Sequence, residues 1–293
     1  MPNIRDIKKR INGAKQTLKI TMALKLVSGS MLAKVQGRVK GARPYNAELE
    51  KTLKTASVFA YDYAHKYLLE SSEKKKVALL VMSSERGLCG SYNSMLVRKI
   101  HEFINQNKQY DYQIYCIGKK ASEIMAKDYT IAKKFTFAKN EPSYAEIEGV
   151  ANELGAIFER SEVGKVFLAY NHFQSALTFT PTVLQVLPLT SYETHRKEAL
   201  ASKELPPDYK YDVSVEEMLD YLIPELYVSS LFNCQLSALT AEYSTRMWAM
   251  ENASKNCQDL IKRLTIKMNK MRQGSITKEL IEIVSGAETM KAR

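Results

Sequence analysis

Disulfide frameworks and structural zinc sites need cysteines in pairs. This sequence of 293 residues has four, Cys89, Cys116, Cys234 and Cys257, and no CxxC spacing among them, so neither is expected. Histidine is as scarce: His65, His101, His172 and His195 show no metal-ligand spacing, and none is tied by spacing to Cys89 as the base of a thiol nucleophile would be. Long apolar runs are missing too. The longest, Val77-Ala-Leu-Leu-Val-Met82, is strand-sized, whereas a membrane-spanning helix needs about 20 residues. The N-terminus lacks the apolar stretch of a secretory signal. No GxxxxGK[ST] loop occurs, and Ser84-Glu85-Arg86-Gly87-Leu88-Cys89-Gly90-Ser91 places no lysine for phosphates. The sequence therefore contains no recognisable active site. It predicts no catalytic residue, no cofactor and no metal.

Acidic residues are nearly absent from the first 43 positions. Eleven Lys/Arg (Arg5 to Arg43) stand there against Asp6 alone, which accounts for almost all of the net charge of +11. A second basic cluster, Lys255, Lys262, Arg263, Lys267, Lys270 and Arg272, has only Asp259 within it. Such stretches suit nucleic acid, acidic lipid or an acidic protein surface, and composition leaves all three open.

What is abundant is helical periodicity. Ile4, Ile7, Ile11, Ala14, Leu18, Thr21, Lys25, Ser28, Leu32, Val35 and Val39 alternate steps of three and four, as a coiled-coil seam does. A second stripe, Ile20, Leu24, Val27 and Met31, lies on another face, so one partner helix cannot cover both. Gly37, Gly41 and Pro44 predict a kink or break near residue 41, with helix resuming over about 45–69. From Tyr243 a matching seam runs through Met247, Met250, Ser254, Cys257, Ile261, Leu264, Met268 and Met271. Its methionines are read as helix-packing core. Past Gly274 the stripe slips in phase to Ile276, Leu280, Ile283 and Ala287. Pro224 predicts that the unbroken part of this helix starts there.

Between the seams, residues 75–195 alternate strand and helix. Strands are expected at Val77–Ser83, Tyr112–Ile117, Lys165–His172 and Leu177–Leu187, the last at an edge because of Pro181. Helices are expected at Ser91–Gln106, Lys119–Ala126 and Ala145–Arg160, and 195–212, with Pro206-Pro207, reads as a linker. A helix from Glu225 to Thr289 would be about 95 Å long, against a diameter of roughly 50 Å for a globule of this size, so it must project. The N-terminal helix enters the α/β region and the C-terminal helix leaves it, so the two can pair antiparallel. The expected fold is α/β, a long antiparallel coiled coil of N- and C-terminal helices plus a Rossmann-like head. Its segments are 1–70, 75–195 and 213–293.

Several segments together resemble the γ subunits of bacterial-type F-type ATP synthases: Ile4–Arg10, Lys19-Ile20-Thr21-Met22-Ala23, Ala42-Arg43-Pro44-Tyr45, Ser84–Gly90, Arg246-Met247-Trp248-Ala249-Met250, Glu251–Asn256 and Arg272–Ala287. The resemblance implies a non-catalytic rotor shaft inside a ring of α and β subunits, with catalysis in β. It implies a head against the ε subunit and the c-ring, at the cytoplasmic face of the cell's inner membrane, without a membrane span of its own. It carries coupling roles to Met22, Arg246, Gln273, Thr277 and Glu279, and foot contacts to Gly41, Arg43, Pro44 and Tyr45 and to the 195–212 loop. The alternative from another class is a basic coiled-coil protein that binds nucleic acid. That reading leaves the second apolar stripe unexplained.

Overall fold

The six residues Val77–Met82 have no polar side chain to turn toward water, and the fold gives them none to face. The computed structural model of the chain describes residues 4–60, 63–69, 75–137, 139, 141–189 and 212–291. In it β1 (Lys76–Met82) is the middle strand of a five-stranded sheet of order β3-β2-β1-β4-β5. β2 is Asp111–Ile117, β3 Ile131–Phe135, β4 Lys165–Phe173 and β5 Phe179–Leu187. β1 runs parallel to both β2 and β4, with Lys76 opposite Asp111 and Val77 opposite Lys165. β5 turns back antiparallel on β4, and Pro181 lies in this edge strand, where its missing N–H costs no ladder bond on the open side.

Strand alternation sends side chains to two cores. Val77, Leu79, Val81, Ile114, Cys116 and Ala169 pack under α2 (Tyr92–Gln106) and α3 (Lys119–Met125). Ala78, Leu80, Met82, Ile117 and Leu168 pack under α4 (Tyr144–Glu159) together with Leu53 and Ala56 of α1 (Ile4–Phe59) and Ile223, Leu226 and Leu231 of α5 (Val215–Lys291). α4 begins in a capping box, Ser143 with Glu146, which satisfies two backbone donors left open at a helix start.

Four expectations need correction. α1 is continuous from Ile4 to Phe59 and passes Pro44, so the turn expected at Gly41–Tyr45 is helix. It ends ten residues before Leu69, with only a short 3-10 turn at Lys66–Leu68 beyond. α5 starts at Val215 and runs through Pro224. A proline removes one hydrogen bond and crowds one carbonyl, and burial of Leu219, Ile223 and Leu226 around it holds the helix across the gap. β3 was unforeseen: Ile-Ala-Lys-Lys-Phe is a mostly exposed edge strand whose two lysines erase the apolar alternation. The expected linker, with His195 and Pro206-Pro207, lies outside the described residues except at Asp212.

The chain divides into two compact units, one of residues 1–29 with 246–293 and one of residues 30–245, and each long helix contributes to both.

Candidate functional site

The first unit is the paired helical part. Thr21 lies opposite Ser254, Lys25 opposite Glu251, and Gly29 against Met247, so residue numbers rise on α1 as they fall on α5, and the pair is antiparallel. By this register Leu18 falls opposite Cys257 and Ile4 near Met271. Ile7, Ile11, Ala14, Thr21 and Ser28 are buried along the seam, with Met250 and Ser254 on the other helix. Lys25, the charged member of the seam, reaches Glu251, and this contact with help from Lys255 holds the Glu251 carboxyl below its ordinary pKa.

Other apolar side chains of this unit face outward. Ile20 and Val27 of the second stripe are exposed, while Leu24 is half-buried. Met22 and Leu26 add exposed apolar groups on a further side of α1. Leu26, Ile266, Ile281 and Val284 are exposed as well, outside both apolar stripes read from the sequence. Their signal was there, in apolar residues out of phase with the seam. Past Met271 no described residue of α1 lies opposite α5, and Ile276, Leu280, Ile281, Ile283 and Val284 are between 50% and 68% exposed. The slip in phase after Gly274 falls just past the last α5 residue that has a described residue of α1 opposite it.

The five coupling candidates do not converge on one spot. Met22 is exposed and Arg246 buried. Gln273, Thr277 and Glu279 are exposed on the unpaired end, about 40 Å along the helix from Arg246 at 1.5 Å per residue. Thr277 Oγ1 donates to the Gln273 carbonyl at 3.0 Å, the ordinary i to i−4 bond of a helical threonine. At about 100° per residue, Glu279 borders the Ile276–Leu280–Ile283 stripe on one side, while on the other Gln273 and Thr277 lie among Val284 and Ile281.

The foot candidates lie in the second unit. Gly41, Arg43, Pro44 and Tyr45 are exposed residues of α1. Tyr45 Oη and Tyr144 Oη both donate to Glu225 Oε1, at 2.9 and 2.5 Å. Burial first, then the Glu225 hydrogen bond and charge, raise both phenol pKa values. Tyr45 is thereby fixed against α5 and α4 while half of it stays exposed. Arg43 and Lys40 border a cleft of about 510 Å³ between α1, α5 and the end of β4.

The glycine-bearing turn after β1 consumes its own polar groups. Ser84 N–H donates to Asn93 Oδ1 at 3.2 Å, and Asn93 Nδ2 donates to Ser84 Oγ at 2.7 Å and to Cys89 Sγ at 3.2 Å. Cys89 is buried. Leu88 (φ 63°) and Gly90 (φ 57°) take left-handed conformations that close the turn tightly. This is the arrangement of a packed turn.

The model of the family described as ATP synthase matches residues 3–290. The chain is 34% identical to the ATP synthase gamma chain of Brevibacillus brevis, over 97% of each chain. It is 36% identical to that of an Anaeromyxobacter species, over 99% of this chain and all of the relative. Among solved structures it is similar to a chain of the Euglena gracilis mitochondrial ATP synthase (OSCP/F1/c-ring), with a TM-score of 0.69 and 19% identity over 99% of this chain and 95% of that one. It is also similar to a chain of the Tetrahymena thermophila mitochondrial ATP synthase, central stalk and c-ring, with a TM-score of 0.61 and 21% identity over 80% of this chain and 99% of that one.

Proposed function

We infer from one premise, that the chain belongs to the ATP synthase family as one of its gamma chains, how its surfaces are used. It is the central rotor shaft of an F-type ATP synthase, a non-catalytic subunit that couples ion flow through the membrane sector to the chemistry of the catalytic ring. Nothing among the relatives supports the nucleic-acid reading.

The finer assignments are proposals. α and β subunits surround the paired helices, and the observation that carries this is the unpaired end of α5. Five apolar side chains left open on a single helix need a collar, and exposed apolar groups of that extent are unusual on a protein working alone. Basic residues along both helices meet acidic surface on the ring, biasing the shaft's angle. Gln273, Thr277 and Glu279 exchange weak bonds with successive β subunits, Met22 and Arg246 act lower on the shaft, and the Gly41–Tyr45 stretch with the 195–212 loop meets ε and the c-ring. The head would hold the subunit at the cytoplasmic face of the inner membrane. No helix among the described residues is long and apolar enough to cross a membrane. Coupling of this kind requires two or more states of each β site biased by the angle of the shaft.

The test is reconstitution. The purified chain alone should hydrolyse no ATP, and adding it to α and β subunits of its own complex should raise their ATPase activity by an order of magnitude. Hydrolysis by the lone chain that disappears in Cys89→Ala would overturn the shaft reading.

A further inference from the structure

The seam of the paired unit changes character over a short stretch. From Ile7 to Ala14 it is built from Ile7, Ile11 and Ala14 facing Ile261, Leu264 and Met268, contacts that could be exchanged for one another with little loss of packing. A slip of one helix by a heptad would still oppose apolar to apolar there. In the middle it would not. Thr21 and Ser254 are both buried, and their hydroxyl oxygens are 2.8 Å apart. Thr21 Oγ1 donates to the Leu18 carbonyl at 3.1 Å. With Thr21's proton on that carbonyl, Ser254 Oγ can donate to Thr21 Oγ1, so this register lets both hydroxyls share one chain of bonds. One layer on, Lys25 meets Glu251, and in the next the bare Cα of Gly29 comes close to Met247. Ser28 spends its proton on its own helix, on Leu24 O at 2.8 Å, and adds no cross-link.

A heptad slip would place Thr21 against Ile261 or Met247, break the Thr21–Ser254 hydrogen bond and part Lys25 from Glu251. A slip therefore forfeits a buried bond and an ion pair between the helices, while the apolar layers gain nothing in return. The geometry points to a register clamp: Thr21, Ser254, Lys25 and Glu251 are positioning residues that hold the two helices of the shaft at one axial alignment. Two helices wound around each other convert an applied twist partly into sliding along their seam. A clamp placed in an otherwise slippery seam keeps torque from being lost as slip. This role in torque rests on the rotor-shaft reading; the register itself does not.

Native Cys257 serves as a fixed reporter. In the full chain, Leu18→Cys should be joined to Cys257 by a short bifunctional thiol reagent, and Ile11→Cys, one heptad away, should not, with the linked peptides identified by mass spectrometry. In a variant carrying Thr21→Val, Ser254→Ala, Lys25→Met and Glu251→Leu, the Ile11→Cys link should rise at least tenfold and the Leu18→Cys link should fall, with helical circular dichroism retained. If that variant keeps the parental linking pattern, the clamp is refuted. Should the fourfold variant not fold, the charge pair decides: Lys25→Glu alone should raise the slipped link, and Lys25→Glu with Glu251→Lys should restore the parental pattern, whereas equal patterns in both refute the clamp. In membrane vesicles carrying the whole synthase, ion pumping per ATP should drop in the fourfold variant. Unchanged pumping despite a loosened register overturns the torque role. Failure of the parental chain to stimulate α and β counts instead against the shaft reading.

Discussion

Gly118 sits between β2 and α3 with φ 86° and ψ 147°, a conformation that only glycine adopts readily. A Cβ added there would strike the Ser83 carbonyl oxygen and lie 2.7 Å from the Ser83 carbonyl carbon and 2.9 Å from Ser83 Oγ. Ser83 cannot retreat. Its N–H donates to Ile117 O at 2.8 Å, and its Oγ accepts from Ala121 N–H at 3.2 Å, tying β1 to β2 and to the start of α3. Gly118→Ala should therefore incur about 1–3 kcal/mol of backbone strain and about 1–3 kcal/mol of overpacking, together roughly 2–6 kcal/mol. That is a large share of the 5–15 kcal/mol typical of a domain. Gly149→Ala is the control. It is an exposed position within α4 with no atom near the added Cβ, and it should gain about 0.5–1 kcal/mol. Urea titration followed by tyrosine fluorescence, which reports on the tyrosine-rich sheet unit, should show midpoints displaced in opposite directions. A Gly118→Ala protein within about 0.5 kcal/mol of the parent would refute the reasoning, because neither strain nor clash would then be real.

Three further outcomes are expected. Replacing Gln273, Thr277 and Glu279 together by alanine should leave assembly intact while lowering ATP turnover and proton pumping per ATP, each lost bond being worth about 0.5–1.5 kcal/mol; parental rates of pumping and hydrolysis in membrane vesicles would make these residues ordinary surface. Burial pushes the Tyr67 and Tyr112 phenols up to about 12, so their folded forms hold a proton that the unfolded chain releases near pH 10; the stability they contribute is fully present below pH 10 and lost as pH rises through about 12, and the urea midpoint should fall between pH 9 and 11.5 as tyrosinate absorbance grows. Gly155→Val should destabilise the sheet unit by several kcal/mol, since the added atoms meet the Tyr67 ring, and Tyr67→Leu in the same chain should recover part of the loss, measured by thermal denaturation.

Much of this protein was settled along the chain itself. Steps of three and four in Ile7, Ile11 and Ala14 and in Met250, Ser254 and Cys257 specify two long helices, and their entry to and exit from the α/β region specify an antiparallel pair. The unbroken apolarity of Val77–Met82 specifies a central parallel strand, and Pro181 an edge. These are properties of local periodicity, which needs no knowledge of neighbours. Tertiary structure decided the rest. Pro44 and Pro224 stay inside helices because surrounding burial outweighs a local penalty. Ile131–Phe135 becomes a strand because β2 offers it an edge, although its lysines hide the pattern. Residues 273–284 look like a continuation of the seam in composition, yet no described residue of α1 lies opposite them in the register set by Thr21 and Ser254, which brings Ile4 to Met271. Where one helix stops relative to another is a long-range fact, and only packing carries it.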